Sequence, residues 1–369
     1  YKIHTYTQEG RLFEGKTPAS AFLNSSYDGS FIAGLMELRY IQSLPVERII
    51  NYFESHGFTL KKPTAHKLIE KASSLFENLY KCIRQTALSD PYKAADETYY
   101  KILVPEKNSK GKGVRKGYLW VVVGINTRMI YLLYDDGSRS ERVILNELGS
   151  CKGIIQSDGY SPYRKLESDA YPNITRIPCL QHIKRKFIDC GEKDPDAKRI
   201  VELINALYQN EHKHKVGVEG WTVEQNLMHR KKYAPDILGE IKDVLDEIEE
   251  RGDLLPKSEL QEAITYLRNE WNAVVDIFNY GDTYLDNNMV ERMNRYISLS
   301  RKNSLFFGSH KGAERGAILY TIALTCRMHK VNLFEYLTDV INRTAEWQPN
   351  TPIEKYRELL PDRWEKAND

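Results

Sequence analysis

Four short apolar runs between residues 96 and 157 most constrain what this chain can fold into. Strand signals fall at residues 96–104, 117–124, 129–134 and 153–157. The first two flank a Gly/Lys-rich loop, and Ile125-Asn126-Thr127-Arg128 joins the second to the third, connections that suit antiparallel hairpins. Between the third and fourth, Ser138-Arg139-Ser140-Glu141 has the capping-box pattern of a helix start; Val143, Ile144 and Leu148 follow, and Gly149 stops the run. A strand reached through a helical crossover usually lies parallel to an earlier strand of its sheet. The expectation is an α/β layer of three antiparallel strands, a helix and a parallel fourth strand, with Asp96 opening the first.

Helical patterns surround this layer. From about Phe31 to Leu88, the stripe Ile49, Ile50, Phe53 ends at Gly57, and a second helix starts after Pro63-Thr64 and runs through Leu68, Ala72, Leu75 and Leu79. That order fits a DNA-binding helix-turn-helix, or equally a helical hairpin that only packs. Residues 1–25 read as a tail or the remnant of an upstream segment, and 26–90 as the helical region. The first part of the core falls at 91–190. An α-helical insertion follows at 191–270, and Trp271 opens a new apolar period. Residues 271–325 return to the core, and 326–369 form a C-terminal helical segment.

At 369 residues, with 41% hydrophobic and 28% charged side chains, the chain has material for two or three folded domains and does not read as disordered. No run approaches the ~18 apolar residues of a membrane span, and no signal-peptide pattern opens the sequence, so a cytoplasmic protein without membrane partners is expected. The five cysteines are odd in number and contain no C-x-x-C pair, which argues against a disulfide framework or a Cys-rich zinc site. A net charge of +2 announces no nucleic-acid partner. Basic residues cluster locally instead, at Lys107, Lys110, Lys112, Arg115 and Lys116, at Lys184-Arg185-Lys186, at Arg230-Lys231-Lys232 and at Arg301-Lys302. Each cluster has a plain alternative as a solvated face.

The segment from Leu285 to Arg295 puts one carboxylate among amides and guanidiniums. Val290, Met293 and Ile297 form a core-facing stripe, while Asn288, Glu291 and Arg295 fall on another face. Asp286 is placed to cap the start. An ordinary surface helix with a Glu291–Arg295 pair is the alternative. Chemistry needs further carboxylates, and Asp96 and Asp158 supply them, 62 positions apart. If the first and fourth strands are neighbours, these two approach each other, and Glu291 joins from a helix packed beside them. Three such acids suit two divalent ions ~3.5–4 Å apart, and oxygen ligands favour Mg²⁺ or Mn²⁺. Taken singly, Asp96 and Asp158-Gly159 are also ordinary turn signals, and Glu97 and Asp286 remain alternative ligands.

Six motifs then occur in order: Asp96-Glu97-Thr98, Gly117-Tyr118-Leu119-Trp120, Ser157-Asp158-Gly159-Tyr160, the run from Cys179 to Phe187, Asp286-Asn287-Asn288 with Glu291-Arg292, and Arg301-Lys302-Asn303. Together they resemble bacterial insertion-sequence transposases of the sixty-six family, from about Ser26 to Trp364. The resemblance implies a ribonuclease H-like mixed-sheet core and an Asp-Asp-Glu triad, carried onto Asp96, Asp158 and Glu291. It also implies two Mg²⁺ (or Mn²⁺) ions, strand cleavage at transposon ends and strand transfer by a 3′-hydroxyl. Transposon-end and target DNA, other copies of the chain and accessory proteins become the expected partners, and the nucleoid of a bacterial cytoplasm the expected location.

Arg292, Arg295, Arg301 and Lys302 are then expected to meet DNA phosphates, with Lys184, Arg185 and Lys186 extending the track. Asn287 and Asn288 are expected to support the site. Cys179 and His182 form a C-x-x-H pair with no second half of a zinc site in the sequence, and are expected to support the core, with His182 hydrogen-bonded inside it. The chain begins at Tyr1 and lacks the Cys-rich N-terminal segment of full-length members, so end-specific recognition is expected to be incomplete. A catalytically silent DNA-binding descendant and a ribonuclease H-like nuclease that hydrolyses without joining strands are the competing expectations.

Overall fold

The computed structural model describes residues 4–366 apart from 16–19, 23–24, 108–110, 112, 192–193, 214–219 and 349; Lys110 and Lys112 of the first basic cluster lie outside the described residues. An exposed hairpin, β1 (Thr5–Gln8) and β2 (Arg11–Glu14), lies in the stretch read as a tail or the remnant of an upstream segment. Four helices follow: α1 (Gly29–Tyr40), α2 (Val46–Ser55), α3 (Lys62–Leu75) and α4 (Glu77–Ser89). Next come β3 (Tyr92–Leu103), β4 (Val114–Gly124), β5 (Ile130–Leu133), α5 (Glu141–Leu148) and β6 (Gly153–Ser157). After α6 (Ser161–Arg164) and a 3-10 turn come β7 (Ile174–Pro178) and α7 (Leu180–Asp189). The remainder is helical: α8 (Pro195–Lys213), α9 (Val223–Arg251), α10 (Glu259–Ile277), α11 (Asn288–Asn303), α12 (His310–Met328), α13 (Leu333–Ala345) and α14 (Ile353–Arg357). Among the described residues, no helix is long and apolar enough to cross a membrane.

The core sheet is mixed, in the order β5-β4-β3-β6-β7. β5, β4 and β3 are antiparallel neighbours, and β6 lies parallel to β3 after the α5 crossover, as expected. Ser140, rather than Ser138, caps α5 by accepting the Arg142 N–H. Two features depart from expectation. First, β3 starts at Tyr92, so Asp96 sits inside the strand rather than opening it. The strand start is masked in sequence by Lys93, which is fully buried and donates to the carbonyls of Asp90 and Lys152. Second, β7 adds a fifth strand, parallel to β6. Its central Arg176 reads as a surface residue, yet it is 1% exposed.

β5 is an edge strand, and an unpaired strand edge invites aggregation. Here α12 covers it with hydroxyls. Leu132 N–H donates to Thr321 Oγ1, and Thr325 Oγ1 bonds both N–H and C=O of Ile130. α12 is buried nearly all round, through Leu319, Tyr320, Ile322, Ala323 and Leu324, as a helix must be when structure packs on every side. α4 packs on β4 and β5 beside it, and α1 packs on α13. Gly57 (φ +79°) ends the α2 turn and Pro63 sits in the first turn of α3, as the sequence suggested. Arg315 on α12 pairs with Glu70 on α3 at 2.6 Å, so the α2–α3 pair is joined to the body of the fold. Trp271 continues α10, which runs to Ile277, instead of opening a new helix.

Candidate active site

The β3–β6 register pairs each residue with the one 62 positions further on: Tyr92 with Ile154, Lys93 with Ile155, Ala94 with Gln156. Asp96 and Asp158 have that same offset, each two residues beyond the last bonded pair, and the Asp158 charge acts on the Asp96 carboxyl. The pairing ends at Ala94, where β6 leaves β3, and Asp158 follows the last residue of β6. Such a split at the carboxyl ends of parallel strands is where α/β sheets place their sites.

α11 enters beside this split. Asn287 Nδ2 donates to Ala95 C=O at 3.0 Å, and Asn294 Nδ2 donates to Asp96 Oδ2 at 2.6 Å. Glu291 lies three residues before Asn294, one turn back on the same helical face. The expected core stripe holds, with Val290, Met293 and Ile297 all buried, while Glu291 is half-buried. Asp286 Oδ1 accepts the Asn288 N–H at 3.2 Å, and Asn288 itself is exposed.

Asp158 is fixed through both its backbone carbonyl and its carboxylate. Its carbonyl accepts Arg176 Nη2 at 2.7 Å, and its Oδ1 accepts the Tyr160 N–H at 3.1 Å. Gly159 N–H donates to Tyr266 Oη at 2.8 Å. A Cβ at Gly159 would stand 2.4–2.7 Å from the Tyr266 ring and hydroxyl, so only glycine admits this seat on α10. Arg176 also bonds Ser157 Oγ, Glu167 and Glu270, the last across an ion pair with both side chains at 0% exposure. A buried pair of this kind holds geometry more than it adds stability.

The electrostatics follow from crowding acids. The Asp96 carboxyl is pushed up to about 8, first by burial and then by the charges of Glu97 and Asp158, against the pull of the Glu97 N–H and the Asn294 amide. Burial also raises Glu97. Glu97 points to the other face of the pleat, where Arg139 Nη2 donates to it at 2.5 Å and Tyr163 Oη at 3.4 Å. Those partners occupy it, leaving Asp96 as the acid facing α11.

The basic residues divide. Arg292, Arg295, Lys302, Arg185 and Lys186 are exposed, and Lys184 is half-buried. Lys186 Nζ lies 5.8 Å from the centre of the Tyr266 ring that seats Gly159, and Lys184 lies 6.0 Å from that of Tyr208. Arg301 is engaged differently: it stacks on Tyr99 at 4.0 Å and donates to Tyr99 C=O and Thr98 Oγ1, docking α11 on β3.

Cys179 is buried at the start of α7 and its Sγ accepts the Asn287 N–H at 3.2 Å. The expectation of a hydrogen-bonded His182 fails at Nδ1, which is shielded from solvent and has no hydrogen-bond partner. That atom lies 3.6 Å from Glu291 Oε1. The sequence reading missed Asn294, Tyr266, Arg176 and Glu270. Only Asn294, three residues after Glu291 in a helical pattern, carried a signal there.

The chain is 25% identical over 370 residues to the uncharacterized protein y4jD of Sinorhizobium fredii, covering 96% of this chain and 70% of that one. It is 25% identical over 347 residues to y4hP and 28% identical over 275 residues to y4qI of the same organism, both also uncharacterized. It spans 60% and 49% of the lengths of those two. The sequence profile of the transposase IS66 family matches residues 24–315, which include β3, β6 and α11. The chain belongs to the transposase IS66 family.

Proposed function

We propose that this protein is a metal-dependent DNA transposase with a ribonuclease H-like core, which cuts strands at insertion-sequence ends and joins the freed 3′-hydroxyl to target DNA. One observation carries the reading: Asp158 directly follows the strand that lies parallel to the one holding Asp96, while an asparagine of α11, one turn beyond Glu291, bonds Asp96 directly.

The residue types suit a pair of hard divalent cations. Asp96, Asp158 and Glu291 offer carboxylate oxygens, and Asn287 Oδ1 and Asn294 Oδ1 beside them are shielded from solvent without hydrogen-bond partners. Buried polar atoms left unpaired in this way call for a ligand, water or ion. Mg²⁺ or Mn²⁺ held there would supply charge neutralisation and polarisation at the scissile phosphate. The chain's own contribution is positional. Arg176 and Tyr266 fix the Asp158 loop, and Asn287, Asn294 and Arg301 fix α11 against β3. Arg292, Arg295, Lys302 and the α7 cluster Lys184–Lys186 would hold DNA phosphates, which positions a duplex without reading its sequence. Paired transposon ends would require more than one copy of the chain.

The test is Mg²⁺-dependent nicking of DNA carrying the element's ends, followed by joining of pre-cleaved ends. Asp158→Asn and Glu291→Gln should abolish both reactions while leaving DNA retention intact. Cleavage that survives in either variant would overturn the triad, and cutting without joining would make the protein a nuclease.

A further inference from the structure

The fold completes a cluster that the sequence leaves half-built. Cys179 is the N-cap of α7 and His182 lies in its first turn, and α11 brings Glu291 to them across Asn287. Each offers one ligand atom, and these atoms lie within 4.8 Å of one another. Two ligands of one tetrahedral zinc ion, each ~2.0–2.3 Å from it, sit ~3.3–3.8 Å apart, so side-chain movements of about 1 Å close the set. His182 Nδ1 and Glu291 Oε1 face each other at 3.6 Å, both shielded and neither hydrogen-bonded.

We propose that Cys179, His182 and Glu291 Oε1 form a binding site for one borderline-soft divalent cation of the zinc class, adjoining the hard-cation pair at Asp96 and Asp158 and sharing Glu291 with it through the other carboxylate oxygen. Sulfur and imidazole are the ligands that select zinc-like ions over magnesium. Three protein ligands leave a fourth position to water, the open arrangement of non-structural zinc sites. On ligation the Cys179 thiol gives its proton to solvent, and the Asn287 N–H already points at its sulfur. Burial pushes that thiol up to about 12, so the ion has to drive the proton off and binding should weaken as pH falls. Among the described residues no other trio of His, Cys, Asp or Glu is gathered in this way. The inference stands on the trio's geometry and holds whether or not the strand-transfer reading does.

Cobalt(II) titrated into the full chain tests it, because thiolate-bound cobalt shows a charge-transfer band in the near ultraviolet. One equivalent should bind with that band and be displaced by zinc. Cys179→Ser should remove the band, and His182→Gln, a change at a half-exposed position, should weaken binding roughly 100-fold, at the upper end of metal-site substitutions. Asp158→Asn should leave cobalt binding unchanged while eliminating any Mg²⁺-dependent cleavage, which separates the two sites. No thiolate band in the parent chain, a band that persists in Cys179→Ser, or unaltered affinity in His182→Gln would each overturn the proposal. A bridging water between His182 and Glu291 gives the first of these results.

Discussion

Replacing Asp96 with Asn should stabilise the metal-free protein at neutral pH, because the fold holds this carboxyl where its charge is unwelcome. Its pKa rises from 3.8 to about 8 in the folded state, through burial and the neighbouring Glu97 and Asp158. The native state therefore keeps a proton that the unfolded chain has already released. The Asp96 contribution to stability is full below pH ~4, and is lost steadily as pH climbs from ~4 through ~8. At pH 7 the gap is about three units, a ceiling of about 4 kcal/mol at 1.36 kcal/mol per unit. Asparagine escapes that cost but has one acceptor oxygen for two donors, the Glu97 N–H and the Asn294 amide, and losing one bond costs about 1 kcal/mol. Asp96 is also only half-buried, which trims the ceiling further. The net expectation is about 1–3 kcal/mol in favour of Asp96→Asn at pH 7, shrinking to zero or reversing below pH ~4. Urea unfolding in EDTA across pH 4–8 reads this directly. Added Mg²⁺ should then stabilise the parent and not the variant, since a bound cation restores value to the charge. A variant no more stable than the parent at pH 7, or a difference that ignores pH, refutes the reasoning.

Three further outcomes follow from named residues. Gly159→Ala should cost about 1–3 kcal/mol by driving a methyl into the Tyr266 ring, and pairing it with Tyr266→Ala should recover part of the loss in thermal unfolding; additive losses would show that the clash is not the cause. Arg230→Met should destabilise by about 3–5 kcal/mol, measured by denaturant unfolding, because it strips the buried guanidinium from Glu211, Thr283 and the carbonyls of Ile277 and Tyr280; a change under ~1 kcal/mol would contradict its role. Arg292→Ala with Arg295→Ala should lower DNA affinity alike on all sequences and reduce the log–log salt slope by about 2, one for each phosphate no longer neutralised; an unchanged slope places the DNA elsewhere.

The parallel crossover was legible because apolar runs, a capping pattern and a stop glycine agree locally, and Asp158 came with it because it ends one of those runs. What escaped was whatever a distant partner neutralises. Lys93 and Arg176 are charged residues inside strands, and each is buried only because the fold supplies acceptors: two carbonyls for Lys93, and for Arg176 the carboxylate of Glu270, 94 positions away. No local period encodes such a partner, so β3 seemed to start at Asp96 and β7 was invisible. The same reason hid the third member of the Cys179–His182 cluster. Its ligand arrives on α11, after the whole helical insertion has intervened.

That insertion separates Asp158 from Glu291 in sequence, and its buried polar residues show how the separation is bridged. On α9, Asn226 Nδ2 donates to Gly281 C=O at 2.7 Å, and Arg230 Nη1 bonds Thr283 Oγ1 at 2.7 Å and the carbonyls at the end of α10. The chain leaving that clamp is caught at once by the sheet. Tyr284 N–H donates to Tyr92 Oη, Gln156 Nε2 to Tyr284 C=O, and Leu180 N–H to Leu285 C=O. α11 starts three residues after Leu285, so its first turn has little freedom left. Meanwhile α10 seats Gly159 through Tyr266 and pairs Glu270 with Arg176. One helical layer thus sets the position of the second acid and the origin of the helix that carries the third. A defect in it far from any phosphate, such as loss of Arg230, should therefore disturb the spacing of the acids before it disturbs their identity.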